Sequence, residues 1–335
     1  MGCNLRELVT PHPLRLSELS GQRVAVDVFL NAYQFLTSLT GPDGRPLSHE
    51  GRVTAHLYGF LDRASILVSQ GIDPIFVFDG RPPKLKRDTL SERRTRKAEA
   101  RTKWESAVQA GDLASAKKLG PQIAEYTPQM VDDTKRLFDL MGVVWIDAPM
   151  EAEGAAAVIC SRGGVSAVAS QDWDTLLYGA PTMVRNLTAH GTKKFGRVLS
   201  AERIELSETL DSLDINYHQF VDLGIMIGTD FHPGFRGVGP KTGLKLIKKF
   251  GSLEEVASHK QLEVPENIND IRDLFHNHPS IQGEIRDYSK GHEEGIISML
   301  RTELGFGEKR VNTAIERLAS ANRIRSSGKP TLFDF

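Results

Sequence analysis

Cysteine is nearly missing: Cys3 and Cys160 are the only two in 335 residues. That excludes a disulfide framework and, without paired Cys or His spacings, a zinc finger or ribbon. A reducing compartment fits. Long apolar runs are missing as well. No stretch reaches the roughly 18 to 20 residues of a membrane span, and the opening MGCNLRELV lacks the apolar centre of a signal peptide. A cytosolic protein is expected. Arg6 stands where a myristoylation pattern wants Ser or Thr, so the Met-Gly-Cys opening is read as ordinary sequence. Net charge is small too, at -1, but it is unevenly spread. Residues 81–103, RPPKLKRDTLSERRTRKAEARTK, hold ten Lys/Arg against three Asp/Glu, a local +7 that leaves -8 elsewhere. Such a run is either a solvated helix face or a phosphate-backbone contact.

With 40% hydrophobic and 25% charged residues, the chain has the composition of an ordinary globular protein. Apolar runs of strand length occur at 23–26 (RVAV), 74–78 (PIFVF), 143–146 (VVWI), 165–169 (VSAVA) and about 182–187 (TMVRNL). They are continuous rather than alternating, which predicts strands covered on both faces. Helix-like segments at 52–70, 105–119, 128–141 and 152–161 lie between them. This alternation predicts an α/β fold with a mostly parallel central sheet flanked by helices. Beyond about residue 215 the pattern is helical, and RSSGKPTLFDF reads as a flexible tail with an apolar tip.

Acids close four of these strands. Asp27 follows the first, Asp79 the second, Glu151 and Glu153 the third, and Asp172 and Asp174 the fourth. One such acid is ordinarily a cap or turn residue. Four together are expected to converge, because the carboxyl ends of parallel strands share one edge of the sheet. Six carboxylates without Cys or clustered His describe a site for Mg²⁺ or Mn²⁺ rather than zinc. They exceed the needs of one ion, and a pair roughly 4 Å apart suits in-line displacement at a phosphodiester. The basic run starts just after Asp79, where a polyanion would approach.

In the second half, GTDFHPGFRGVGPKTGLKLIKKFGSLEEV spans residues 228–256. Gly237 and Gly239 lie in a hairpin between two helical patterns, with Pro240 and Lys241 opening the second. Backbone N–H groups there can approach a phosphate closely, and Lys241, Lys245, Lys248 and Lys249 add charge. A Gly-Pro turn between packing helices is the plainer alternative.

Taken together, MGCNLREL, VAVDVFLNAYQF, FVFDGRPPKLK, EAEGAAAVI, QDWDTL and IGTDFHPGFRGVGPKTGLKLI resemble the archaeal and eukaryotic flap endonucleases of the structure-specific 5′ nuclease superfamily, nearly end to end. The resemblance implies a magnesium-dependent hydrolase with two ions per site, Mn²⁺ substituting, which cuts 5′ flaps on branched DNA during replication and repair and also has 5′-3′ exonuclease activity. Position by position it implies metal ligation by Asp27, Asp79, Glu151, Glu153, Asp172, Asp174 and Asp230. Lys86 and Arg93 would offset charge on the scissile phosphate, Tyr33 would stack on a base, and Gly2 would leave a compact N-terminus near the site. Gly237, Gly239, Lys241, Lys245 and Lys248 would contact DNA, with a potassium ion held by carbonyls between Gly234 and Val238.

The same resemblance implies a single nuclease domain over 1–325, with an N-terminal region at 1–100 and an internal region at 120–255 that includes the helix-hairpin-helix at 217–255. A helical arch is expected over 81–128, and residues 36–60 would help to wedge the duplexes apart. The tail at 326–335 resembles a peptide for the replicative sliding clamp (PCNA) through Leu332, Phe333 and Phe335. It departs from that pattern at Lys329, where glutamine is expected, and in its single terminal aromatic. DVFLNAY also departs, being bulkier near Asp27 than the family usually is. A monomer is expected, cytoplasmic and nucleoid-associated, or nuclear in a eukaryotic source.

Alternatives remain on the sequence alone. Asp172-Trp173-Asp174-Thr175 mimics the nucleophile motif of haloacid-dehalogenase-like phosphatases, though that motif belongs on a first strand. A related nuclease acting on bubbles or junctions shares the acids. A non-catalytic DNA-binding scaffold is the third reading.

Overall fold

The structure is a computed structural model that describes residues 3–194, 196–281 and 283–326. In chain order its strands are β1 (His12–Leu14), β2 (Arg23–Asp27), β3 (Ser48–His49), β4 (Arg52–Val53), β5 (Asp73–Phe78), β6 (Val144–Asp147), β7 (Ala167–Ala169), β8 (Thr182–Arg185), β9 (Lys193–Lys194), β10 (Arg197–Val198) and β11 (Ala201–Glu205). Seven of them form one sheet in the order β1-β11-β8-β7-β2-β5-β6. The five strands from β8 to β6 run parallel, as the continuous apolar runs predict. At the other edge, β11 pairs antiparallel with β8 and β1 antiparallel with β11. The sheet is therefore mixed, with a parallel centre.

Alternation along the strands divides the core. Val24, Val26, Phe76 and Phe78 face one side, with Phe35, Leu57, Phe138 and Val311. Ala25, Ile75, Val77 and Val168 face the other, with Ala156, Phe220, Ile247 and Ile271. On the first side Phe76 stacks on Phe138 at 4.2 Å between ring centroids, and Phe60 meets Phe138 edge-on at 5.2 Å. Full burial of each such ring contributes about 1.5–3 kcal/mol. Both faces are thus covered, which leaves the ends of the strands as the place for a site.

Helices α1 (Val28–Ser38), α2 (Ala55–Ser69), α3 (Arg87–Gln109), α4 (Leu113–Ile123), α5 (Pro128–Met141), α6 (Ala152–Ser161) and α7 (Asp174–Leu177) follow in chain order. The expected helices at 128–141 and 152–161 are α5 and α6. The expected helix at 105–119 is corrected: the chain breaks at 110–112, with Gly111 at φ +70°, between a longer α3 and α4. The basic run is mostly α3, a helix on which only Ala100 is buried. Its partner α4 comes so close to the 41–47 turn that a Cβ on Gly120 would meet the Gly44 backbone at 2.3 Å. Trp104 Nε1 donates to the Asp43 carbonyl at 3.0 Å and carries the Arg45 guanidinium over its ring.

Farther on, helix Tyr217–Ile227 and helix Pro240–Phe250 flank a loop at 228–239. Gly243 lets them touch, since a Cβ there would strike Leu223 at 2.7 Å. Arg272 braces this region from below. Its Nε and Nη2 reach the Asp222 carboxylate at 2.7 and 2.9 Å, and its Nη1 and Nη2 reach Glu254 at 2.5 and 2.8 Å. No helix among the described residues is long and apolar enough to cross a membrane.

Candidate active site

Each acid is placed by the element that ends or begins beside it. Asp27 closes β2 and caps α1, its Oδ1 accepting the Leu30 N–H at 3.0 Å. Asp79 follows β5 and accepts the Ala152 N–H at 2.8 Å, which ties it to the start of α6. Gly80 makes this approach feasible, because a Cβ there would meet the Ala148 carbonyl at 2.0 Å. Glu151 is the residue before α6 and Glu153 lies in its first turn. Asp172 accepts the Asp174 N–H at 3.1 Å, so the two aspartates after β7 order one another. Asp230 sits in the 228–239 loop and is held from α3, where Thr89 Oγ1 donates to its carbonyl at 2.7 Å.

The parallel centre of the sheet delivers these side chains to one edge, and their electrostatics record the crowding. Burial, then repulsion from Asp79, raises the Asp27 carboxyl from 3.8 to about 7. Burial, then Glu151, raises Asp79 from 3.8 to about 6. Glu153 is pushed well above the usual carboxylate range by burial and then by Asp27 and Asp172. Asp174 is pushed up likewise by burial and Asp172. Carboxylates so placed either bind protons or take up positive charge from elsewhere.

Two basic residues supply part of that charge. Lys86 forms an ion pair with Glu151 and lies 3.1 Å from Asp230 Oδ2. Burial alone would lower its ammonium, yet Glu151 and Asp230 hold it above its usual range. Arg93 Nη2 reaches Asp230 Oδ1 at 2.6 Å. Asp230 is held below the usual range, since Lys86 and Arg93 outweigh the effect of burial. As placed, no three acidic, histidine or cysteine side chains among the described residues close around a point ready for an ion. The donor set is nevertheless all carboxylate, which fits a hard divalent cation and not zinc. Two of the acids, Glu151 and Asp230, pair with Lys86.

The sequence also hid a contact with the N-terminal segment. The backbone N–H of Cys3 donates to Asp174 Oδ1 at 2.6 Å, across 171 positions. Its thiol is buried, and burial followed by Asp174 and Asp172 raises it well above its normal range, which makes Cys3 a packing residue and not a nucleophile. Tyr33 lies on α1 and is 41% exposed. Lys245 is exposed on helix Pro240–Phe250, while Lys241 lies 3.4 Å from Glu7 and Lys248 lies 3.0 Å from Asp214. Gly237 is exposed at φ +80°, and a Cβ at Gly237 or Gly239 would meet open space. Gly2, Leu332, Phe333 and Phe335 lie outside the described residues.

Family models match on both sides of this site: the XPG N-terminal domain over residues 4–100 and the XPG I-region over residues 142–230. All seven acids fall within those spans. Flap endonuclease 1 of Methanosarcina barkeri is 41% identical over 332 residues, covering 97% of this chain and 98% of the relative. The chain belongs to the flap endonuclease family. A solved structure of flap endonuclease-1 from Methanococcus jannaschii superposes with a TM-score of 0.77 at 35% identity, covering 97% of this chain and 100% of that one. The catalytic core of Rad2 in complex with DNA substrate gives 0.75 at 21% identity, over 95% of this chain and 100% of that one, a likeness of fold. Within the family fold, the acids lie at the sheet edge and the basic helix begins above them.

Proposed function

We propose that the chain is a structure-specific nuclease that cuts branched DNA at the base of a 5′ flap, with 5′-3′ exonuclease activity, in replication and repair. The observation that carries this reading is the delivery of buried carboxylates from β2, β5, α6 and α7 to one edge, directly below the cationic start of α3. Asp27, Asp79, Glu151, Glu153, Asp172, Asp174 and Asp230 would hold two magnesium ions, or manganese in their place. Bound there, the ions would supply Lewis-acid charge and a water of lowered pKa for hydrolysis of the phosphodiester.

The chain's own residues would do the rest. Lys86 and Arg93, held beside Glu151 and Asp230 at the start of α3, would offset charge on the scissile phosphate as it redistributes during displacement. Tyr33 would offer its ring to a base next to the cut. The arch over 81–128 would enclose the single strand, and the turn at 41–47, latched to it through Trp104, would help to part the duplexes within the 36–60 wedge. Gly237, Gly239, Lys241, Lys245 and Lys248 would grip the duplex backbone without reading sequence, with a potassium ion on carbonyls between Gly234 and Val238. Residues 1–325 would act as one nuclease domain, a cytoplasmic monomer, and the tail would tether it to a sliding clamp.

A labelled 5′-flap duplex tests the reading directly. Release of the flap in Mg²⁺ and none in EDTA is expected, with no hydrolysis of a small phosphomonoester. Hydrolysis of the monoester without flap cleavage would favour the phosphatase, flap binding without cleavage the scaffold, and faster cutting of bubbles or four-way junctions the related nucleases.

A further inference from the structure

Behind the acidic cluster lie two polar side chains, Tyr178 and His278, which are 6% and 5% exposed. Tyr178 Oη and His278 Nε2 are both buried and neither has a hydrogen-bonding partner. Their rings meet edge-on with centroids 5.3 Å apart. Each is fastened to the cluster. The Tyr178 N–H donates to the Asp174 carbonyl at 2.9 Å. His278 packs flat against Gly154, next to Glu153, so closely that a Cβ there would strike its ring at 2.3 Å.

The two orphaned atoms are complementary. His278 Nδ1 lies 3.0 Å from the Pro279 carbonyl, and a carbonyl only accepts, so Nδ1 carries the hydrogen. Burial lowers the imidazole to about 4, which leaves Nε2 a bare acceptor at neutral pH. Tyr178 remains a donor throughout that range. A buried donor and a buried acceptor on adjoining rings, neither bonded within the protein, are characteristically satisfied by water.

We propose that one buried water accepts from Tyr178 Oη, donates to His278 Nε2 and donates its second hydrogen to a carboxylate of the Glu151–Glu153 turn, making Tyr178 and His278 positioning residues for those acids. The inference rests on the cation-site reading above. Groups of this kind behind metal ligands typically govern ion affinity by ten- to a hundredfold. They leave DNA contacts alone.

Calorimetric titration of the DNA-free protein with Ca²⁺ separates the outcomes. Tyr178→Phe and His278→Leu are each expected to weaken Ca²⁺ affinity about tenfold, while affinity for a flap duplex at saturating Ca²⁺ is unchanged. The double variant should be no worse than either single one, since both hold the same water, and His278→Gln should recover affinity by restoring an acceptor. Unchanged Ca²⁺ affinity in a folded Tyr178→Phe protein would overturn the proposal and leave the cation site standing. Wild-type protein that takes up no Ca²⁺ would overturn the cation-site reading and the proposal with it. If a variant fails to fold, a high-resolution crystal structure of the wild-type protein decides: a water within about 3.2 Å of both atoms supports the proposal, and a dry gap or a direct Tyr–His bond sinks it.

Discussion

Replacing Asp27 with asparagine is expected to stabilise the cation-free protein. Asp27 is 4% exposed, and its carboxyl is raised from 3.8 to about 7 by burial and then by Asp79. A displacement of that size costs on the order of 4 kcal/mol once the pH exceeds both values. Asparagine removes the charge and keeps the contacts. Its Oδ1 can still accept from Leu30, as a cap of equal quality, and its amide can donate to Glu153, with which Asp27 already shares a hydrogen bond. With some loss for imperfect fit, the gain is about 2–4 kcal/mol, or roughly 3–6 °C in melting temperature for a chain of this size.

The sign follows from linkage. A carboxyl raised by folding leaves stability intact below its unfolded value of 3.8 and erodes it as the pH climbs through about 7. In EDTA, wild-type protein should therefore lose stability from pH 5 to pH 8, and Asp27→Asn should lose less. The two melting curves should nearly coincide near pH 4, differ modestly at pH 5 and separate fully by pH 8. Saturating Mg²⁺ should narrow or invert the difference, because an ion that binds only the folded form stabilises it by mass action. A variant melting at or below wild type at pH 8 in EDTA would refute the idea that these acids are held in mutual repulsion. So would a difference that does not shrink toward pH 5.

Lys86→Ala and Arg93→Ala should each lower the single-turnover cleavage rate about a hundredfold, the scale of losing one preorganised charge at a reacting centre. Flap affinity in Ca²⁺ should fall much less, and loss of affinity with an unchanged rate would reduce both to a generic electrostatic patch. Arg272→Met should cost about 3 kcal/mol in a denaturant titration, because it strands Asp222, whose side chain is 7% exposed, with the Leu253 N–H for company; a change below about 0.5 kcal/mol would show that Asp222 finds water or another partner. Deleting residues 328–335 should leave cleavage of a free flap unchanged and abolish stimulation by the cognate sliding clamp, and equal stimulation of both forms would remove the tail from that role.

What the sequence disclosed and what it hid follow from the range of the interactions. Val24–Val26, Ile75–Phe78 and Val168–Ala169 are buried on both faces, so they write continuous apolar runs that can be read without a partner, and the acids after them mark the strand ends. The antiparallel strands leave no such mark. Ala201–Glu205 buries Ala201 and Ile204 while its other residues stay partly open, and His12–Leu14 is three residues long; the first pairs antiparallel with β8, and the second exists only because it pairs antiparallel with the first across nearly two hundred positions. The site divides in the same way. Which acids converge was legible from strand ends, whereas the charge state of the cluster depends on Lys86 reaching Asp230 across 144 positions and on the Cys3 backbone reaching Asp174. Those partners matter to the site because they tie Glu151 and Asp230 to the protein's own Lys86 and Arg93. A row of strand-end acids reads as uniformly negative in the sequence, whereas in the fold two of the seven are paired and Asp27, Asp79, Glu153 and Asp174 carry the strain of burial and mutual repulsion.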